Sequence, residues 1–198
     1  SLSAFGYVQG GAQAVVQALL ETFDSLVMPT FTYKTMLVPE AGPAENGITY
    51  GSRADSNRMA LFYHPDMPAD RLMGCIPEAL RLHPQAQRSM HPIQSFAGVN
   101  AAEILESQSL VAPLAPNDKL LEKGGWVILL GVNQSVNTSI HYAEKLAGRK
   151  QFIRWSLTPA GVVECPGFPG CSDGFDAILP HLDGALRWTR AGQAYIQA

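Results

Sequence analysis

The chain of 198 residues is sparing in the features that mark specialised surroundings. Its three cysteines, Cys75, Cys165 and Cys171, are too few for the disulfide framework of a small secreted domain. Cys165 and Cys171 close a turn-rich loop, Pro166-Gly167-Phe168-Pro169-Gly170. Reduced thiols are the expected state there, with a loop disulfide as the alternative. There is no run of Lys or Arg, and 14 basic residues face 17 acidic ones for a net charge of −3. A surface of that sign argues against nucleic acid and against an anionic membrane as partners. The longest apolar run, residues 126–132, falls far short of the roughly 20 residues that span a bilayer. No secretory leader pattern is read, and a cytoplasmic protein is expected. Two catalytic signatures are missing as well. Without Gly-x-Ser-x-Gly a serine hydrolase is poorly supported, and without His-Glu-x-x-His a zinc protease is not suggested. Neither glycine-rich nucleotide fingerprint occurs.

What the chain does contain is enough apolar material, 46% of residues, to bury a real core in a single domain. Val15, Val16, Leu19 and Leu20 give residues 12–22 the stripe of an amphipathic helix. Residues 26–28 read as a short buried strand stopped by Pro29. Further helices are expected over 76–82, 101–106, 117–122, 138–147 and 175–182, those at 101 and 117 opened by polar caps. Residues 126–132 read as a buried strand, and 152–157 with 162–165 as a strand pair about Pro159-Ala160-Gly161. Strands alternating with helices predict an α/β fold, three-layered as α/β/α around a central mixed sheet. Between 30 and 72 the pattern dissolves into Pro, Gly, Asn and Asp. A stretch so long, still carrying Phe31, Tyr33, Tyr50, Phe62 and Tyr63, is the mark of a packed functional lid or wall.

The most informative residues run from Gly131 to Glu144. A strand there passes through a polar loop into the first turn of a helix, with Asn137 as the predicted N-cap. His141 and Glu144, three apart, share one helical face and can touch. A neutral imidazole steadied by a carboxylate is the usual general base, and the rim of an α/β sheet is where ligands bind. The amides of a helix N-terminus oppose an imidazolium, which keeps the ring able to accept a proton. The hydroxyls of Thr138 and Ser139, with the free amides of that turn, are candidates for stabilising an oxyanion; simple helix capping is the competing role.

Two further polar groups stand out. Ser1-Leu2-Ser3, followed by Gly10-Gly11 and a helix start, has the composition of an anion cradle. Arg88, Ser89 and His91 form a second cluster suited to phosphate or to the amides of a pantetheine arm. Glu40, Glu45, Asp55, Asp66, Asp70 and Glu78 are acids available to a polycation. One alternative is a metal-dependent hydrolase, in which His141, Glu144 and one of His64, His83 or His91 gather a cation.

Taken in order, several blocks resemble the antibiotic (aminoglycoside 3-N) acetyltransferase family. They are Ser1-Leu2-Ser3-Ala4-Phe5-Gly6 with Gly10-Gly11-Ala12, then Leu26-Val27-Met28-Pro29-Thr30-Phe31-Thr32. Met73-Gly74 with Ile76-Pro77-Glu78 follows, then Arg88-Ser89, His91-Pro92 and Ser95-Phe96-Ala97. Gly125-Trp126-Val127-Ile128-Leu129-Leu130-Gly131-Val132 and Asn137-Thr138-Ser139-Ile140-His141 with Ala143-Glu144 complete the series. The resemblance implies transfer of an acetyl group from acetyl-coenzyme A to a primary amine, an aminoglycoside in the type case, with no metal. It implies His141 as the base, Glu144 as its partner, and Ser1, Leu2, Ser3, Gly10, Gly11, Ser89 and Ser95 along the coenzyme channel. It also implies a helix and strand before Ser1 and further chain after Ala198, and antibiotic resistance as the associated trait. The 30–72 segment departs from the aminoglycoside-binding wall of clinical resistance enzymes, so the acceptor stays open. So do a homodimeric assembly and a degraded relative that binds coenzyme A without catalysis.

Overall fold

Short apolar runs between turn residues give short strands, and in this chain they assemble into three small sheets. The computed structural model describes residues 2–44, 46–51, 53–182, 184–191 and 194–198. Its helices in chain order are α1 (Gly11–Thr22), α2 (Arg53–Arg58), α3 (Cys75–Arg81), α4 (Ala102–Glu106), α5 (Ala115–Glu122) and α6 (Thr138–Leu146). The strands are β1 (Leu26–Pro29), β2 (Met36–Leu37), β3 (Gln87–Arg88), β4 (Phe96–Val99), β5 (Leu129–Leu130), β6 (Phe152–Thr158), β7 (Gly161–Phe168), β8 (Trp188–Ala191) and β9 (Ala194–Gln197). They hydrogen-bond in the orders β1-β4-β3, β2-β6-β7 and β5-β9-β8.

The first sheet shows how pattern becomes packing. Alternate strand residues face opposite sides, and Leu26 pairs with Val99 while Met28 pairs with Ala97. Leu26, Met28 and Val99 therefore share one face, where Ala12 and Val16 of α1 and Ile76 and Leu80 of α3 cover them. Val27 and Phe96 point the other way, into a cluster with Phe31, Ala101 and Leu105 beside α4. Helices thus meet this sheet on both faces. A third cluster, Ile93, Cys165 and Phe168, joins the turn before β4 to β7.

Several expectations need correction. Every described strand pairing is antiparallel, so the described residues hold three antiparallel sheets and no central mixed one. The strand expected over 126–132 is only Leu129–Leu130, paired with Gln197 and Ile196 of β9. Polar caps do not open α4 and α5: their N-cap residues are Ala101 and Leu114, with no side-chain cap bond. Both are buried, at 4% and 0% exposure, so packing fixes those helix starts. The last expected helix is a 3-10 turn, Phe175–His181, which tolerates Pro180 inside it. All three cysteines are free, and Cys165 is fully buried.

The long irregular segment is sewn down by hydroxyls. Thr32 and Thr35 each donate to the Pro92 carbonyl at 2.7 Å, and Ser156 Oγ of β6 donates to Thr35 Oγ1 at 2.9 Å. Phe31 and Tyr63 are buried as expected, whereas Phe62 is 62% exposed. Among the described residues no helix is long and apolar enough to cross a membrane.

Gly98 occupies the centre of the first sheet because nothing larger fits. A Cβ there would stand 2.6 Å from the Leu26 carbonyl oxygen and 2.9 Å from Ala101 Cβ. Gly98→Ala should therefore lower the unfolding free energy by about 1–3 kcal/mol through overpacking against backbone. Denaturant unfolding measures this, and a neutral result would contradict the packing described.

Candidate active site

The site is built from the start of α6. Asn137 is its N-cap as expected, accepting the Ser139 amide at 3.1 Å. The cap residue is itself held, since Asn137 Nδ2 donates to Gln134 Oε1 at 2.8 Å. Gln134, only 2% exposed, donates from Nε2 to Gln197 Oε1 of β9 at 3.0 Å. Asp176 receives the Gln134 amide and Asn133 Nδ2, both at 2.8 Å, which pins the loop to the Phe175–His181 turn. A short polar loop is thereby fixed by residues from distant parts of the chain.

This frame holds His141 against the Phe175 ring, edge to face at 4.7 Å between centroids. His141 Nδ1 lies 2.8 Å from Glu144 Oε2, with side-chain exposures of 11% and 16%. A carboxylate only accepts, so Nδ1 carries the proton and Nε2 keeps its lone pair. The Oε1 atom of Glu144 is bound by Nη1 of Arg149. Burial, reinforced by the Arg149 guanidinium, pushes the His141 imidazole down to about 4. Glu144, which Arg149 also holds, does not reverse that. At neutral pH the ring is uncharged and oriented, which is the state a proton acceptor needs.

Of the two hydroxyls proposed for an oxyanion, one is spent. Ser139 Oγ donates to Asn117 Oδ1 at 3.0 Å and its amide serves the cap. Thr138 remains half-buried at the helix start, with its hydroxyl and amide unpartnered among the described residues.

The expected coenzyme residues divide into two groups. Ser1 lies outside the described residues. Leu2 packs against the α1–α3 core, and Ser3 lies exposed in the turn Leu2–Phe5. Gly10 and Gly11 take φ of 78° and 61°, left-handed values that let the chain reverse into α1 without a side-chain cap. This turn borders two hollows. One of about 490 Å³ is lined by Gly10, Gln13 and His83 among others, and one of about 480 Å³ by Phe5, Tyr7, Val8, Val15, Leu130 and Ile196. Neither is lined by His141 or Glu144.

Ser89 and Ser95 are placed differently. Both are buried, and both are consumed internally: Ser89 Oγ reaches Gln108 Oε1 at 2.6 Å, and Ser95 Oγ reaches the Thr30 carbonyl at 3.0 Å. Arg88 is a clamp, donating to Ser95 Oγ and to the carbonyls of Thr30, Pro65 and Met67. His91, 3% exposed, accepts the Ile93 and Gln94 amides at Nδ1 and is pushed down to about 4 by burial. That turn is structural cement in this arrangement, with no polar face open to phosphate. Among the acids, Asp55 binds Arg58, Asp70 caps the Leu72 amide and Glu78 grips Arg81; Glu45 lies outside the described residues. Among the described residues no three His, Cys, Asp or Glu side chains converge to hold a metal, so the His141–Glu144–histidine metal site has no geometry there.

Arg149 was not legible as a site residue. The signal available was Gly148 directly after the helix, since a glycine at that point turns the next residue back over the last turn.

A neutral imidazole held by a carboxylate, both largely buried at a helix start beside small antiparallel sheets, defines the class of this site as one suited to general base chemistry. Comparison with known proteins specifies it further. Residues 1–165 match the family model described as aminoglycoside 3-N-acetyltransferase, and the chain belongs to that family. Aminoglycoside N(3)-acetyltransferase IX of Micromonospora chalcea is 33% identical over 167 residues, 78% of this chain and 57% of its own length. This chain thus spans little more than half of that relative. The crystal structure of YokD protein from Bacillus subtilis superposes with a TM-score of 0.80 at 25% identity, covering 100% of this chain and 78% of that one. A structure titled AAC-IIIb binary with CoASH superposes with a TM-score of 0.74 at 23% identity, covering 100% of this chain and 81% of that one, a likeness of fold.

Because His141 and His91 both resist protonation when folded, acid should unfold the protein. Their folded values lie below the unfolded one, so the unfolded chain binds more protons and stability is lost as pH falls from 6.5 towards 4. Each contributes on the order of 3 kcal/mol over that window. His91→Asn keeps an acceptor but cannot titrate. Its unfolding midpoint, followed by circular dichroism, should fall less steeply between pH 6.5 and 4 than that of the wild type.

Proposed function

We propose that the full-length protein transfers the acetyl group of acetyl-coenzyme A to a primary amine of an aminoglycoside-type polyamine, with His141 as general base. The observation that carries this reading is the 2.8 Å contact between His141 Nδ1 and Glu144 in a chain of this family. An amine acceptor is largely protonated near neutral pH and must shed that charge before it attacks. His141 Nε2 takes a second proton from the nitrogen as it adds to the thioester carbonyl. Glu144 holds the tautomer and steadies the imidazolium, as in triad logic. The negative oxygen of the tetrahedral adduct is met by the Thr138 hydroxyl and amide. Collapse breaks the carbon–sulfur bond, and the thiolate leaves with the proton that His141 returns.

On this reading the coenzyme lies along the Gly10–Gly11 turn, with Leu2 and Ser3 at its edge. Support comes from the hollow lined by Phe5, Tyr7, Val8, Leu130 and Ile196, whose apolar walls suit a pantetheine arm, and from the start of α1, which no side chain caps. The solved family structure named above carries CoASH, which points the same way. Ser89 and Ser95 act on this channel indirectly, by fixing the turn between β3 and β4. Helices on both faces of the first sheet support a three-layer α/β/α order for the whole domain.

The test is release of free thiol from acetyl-coenzyme A with a panel of aminoglycosides. Loss of a proton-transfer base costs about 10²- to 10⁴-fold, so His141→Ala should lower turnover by that factor while coenzyme affinity is retained. Wild-type turnover in His141→Ala at saturating substrates would overturn the base assignment. Coenzyme binding without thiol release for any amine would make the protein a non-catalytic binder.

A further inference from the structure

Glu144 has two carboxylate oxygens, and different neighbours claim them. Oε2 faces His141 Nδ1 and Oε1 faces Arg149 Nη1. The backbone makes the second contact a product of the fold. Gly148 N donates to Lys145 O at 3.0 Å and Arg149 N donates to Glu144 O at 2.9 Å. Those are the paired bonds of a Schellman turn, and Gly148 supplies the left-handed φ of 80° that the turn requires. The residue after the turn is thereby folded back over the carboxylate that steadies the imidazole. We infer that Arg149 is a positioning residue for His141: it fixes the Glu144 carboxylate and offsets its charge, so that the imidazole is oriented without being protonated. This rests on the reading of His141 as the base.

An exposed ion pair would carry little weight, and Arg149 is 44% exposed. Its partner is not exposed, however: Glu144 and His141 are both largely withdrawn from water. An uncompensated carboxylate beside a buried imidazole would draw a proton onto the ring and silence it as a base. The other elements against α6 do not supply the compensation. The Phe175–His181 turn presents the Phe175 ring to His141, and its Asp176 is occupied by Asn133 and Gln134. From α5, Asp118 is taken by the Tyr142 hydroxyl and Asn117 by Ser139.

Arg149→Met keeps the apolar stem and removes the charge; Arg149→Lys restores a charge without the fork. In the full-length protein, side-chain NMR of the histidines between pH 4.5 and 8 should show wild-type His141 mostly neutral, its titration only beginning at the acid end. In Arg149→Met its midpoint should rise by about one pH unit, with Arg149→Lys between the two. The acid limb of kcat/KM should move in the same direction, with the KM for acetyl-coenzyme A held within about twofold. An unchanged His141 midpoint in Arg149→Met, including one accompanied by a lower Tm, would overturn the inference and leave Arg149 a helix-end stabiliser. A moved midpoint in a protein that releases no thiol upholds the coupling and sinks the transferase reading instead.

Discussion

Helix α6 is fixed at both ends, and the candidate chemistry depends on that constraint. At its start, Asn137 caps the Ser139 amide and is itself tied through Gln134 to Gln197, 63 residues further along the chain. At its end, Gly148 turns Arg149 back onto Glu144. His141 lies between, and its protonation follows from three influences of one sign: burial, the amide-rich helix start and the Arg149 guanidinium. Glu144 opposes them, with only part of its charge. The outcome is a ring that is aimed yet uncharged.

A second constraint holds the rest of the domain to this helix. The first sheet takes helices on both faces because its two sets of alternate residues are both apolar. The irregular segment from 30 to 72 has little ladder of its own, so its hydrogen bonds go to threonine hydroxyls, the Pro92 carbonyl and the Arg88 guanidinium. Among the described residues Arg88 binds no carboxylate. Carbonyl dipoles converge on it, a distributed way to keep a half-buried cation satisfied.

The polar residues whose use the sequence leaves open share a physical cause. Arg88, Ser89, His91 and Ser95 have the chemistry of a phosphate site, and the same donors and acceptors suit a buried turn equally well. Which use prevails depends on what surrounds them. Ser95, fully buried, and His91, 3% exposed, are surrounded by protein. Ser139 illustrates the same ambiguity on a single residue, since Asn117 from α5 takes the hydroxyl that local reading offers to a substrate. Gln134 carried no signal at all: a glutamine in a polar loop looks solvated until β9 brings Gln197 to it.

Local sequence sufficed for whatever is local. It determined α1, β1, the β6–β7 hairpin, the Asn137 cap and the meeting of His141 with Glu144, because helical and strand periodicities fix which neighbours touch. The order of the motifs likewise sufficed for the family. Tertiary structure alone decided how far β5 extends, which sheets form, which polar side chains are consumed inside, and that Arg149 shares the carboxylate. Those outcomes turn on partners far apart in the chain, whose approach is set by packing and by the demand that every buried polar group find a match.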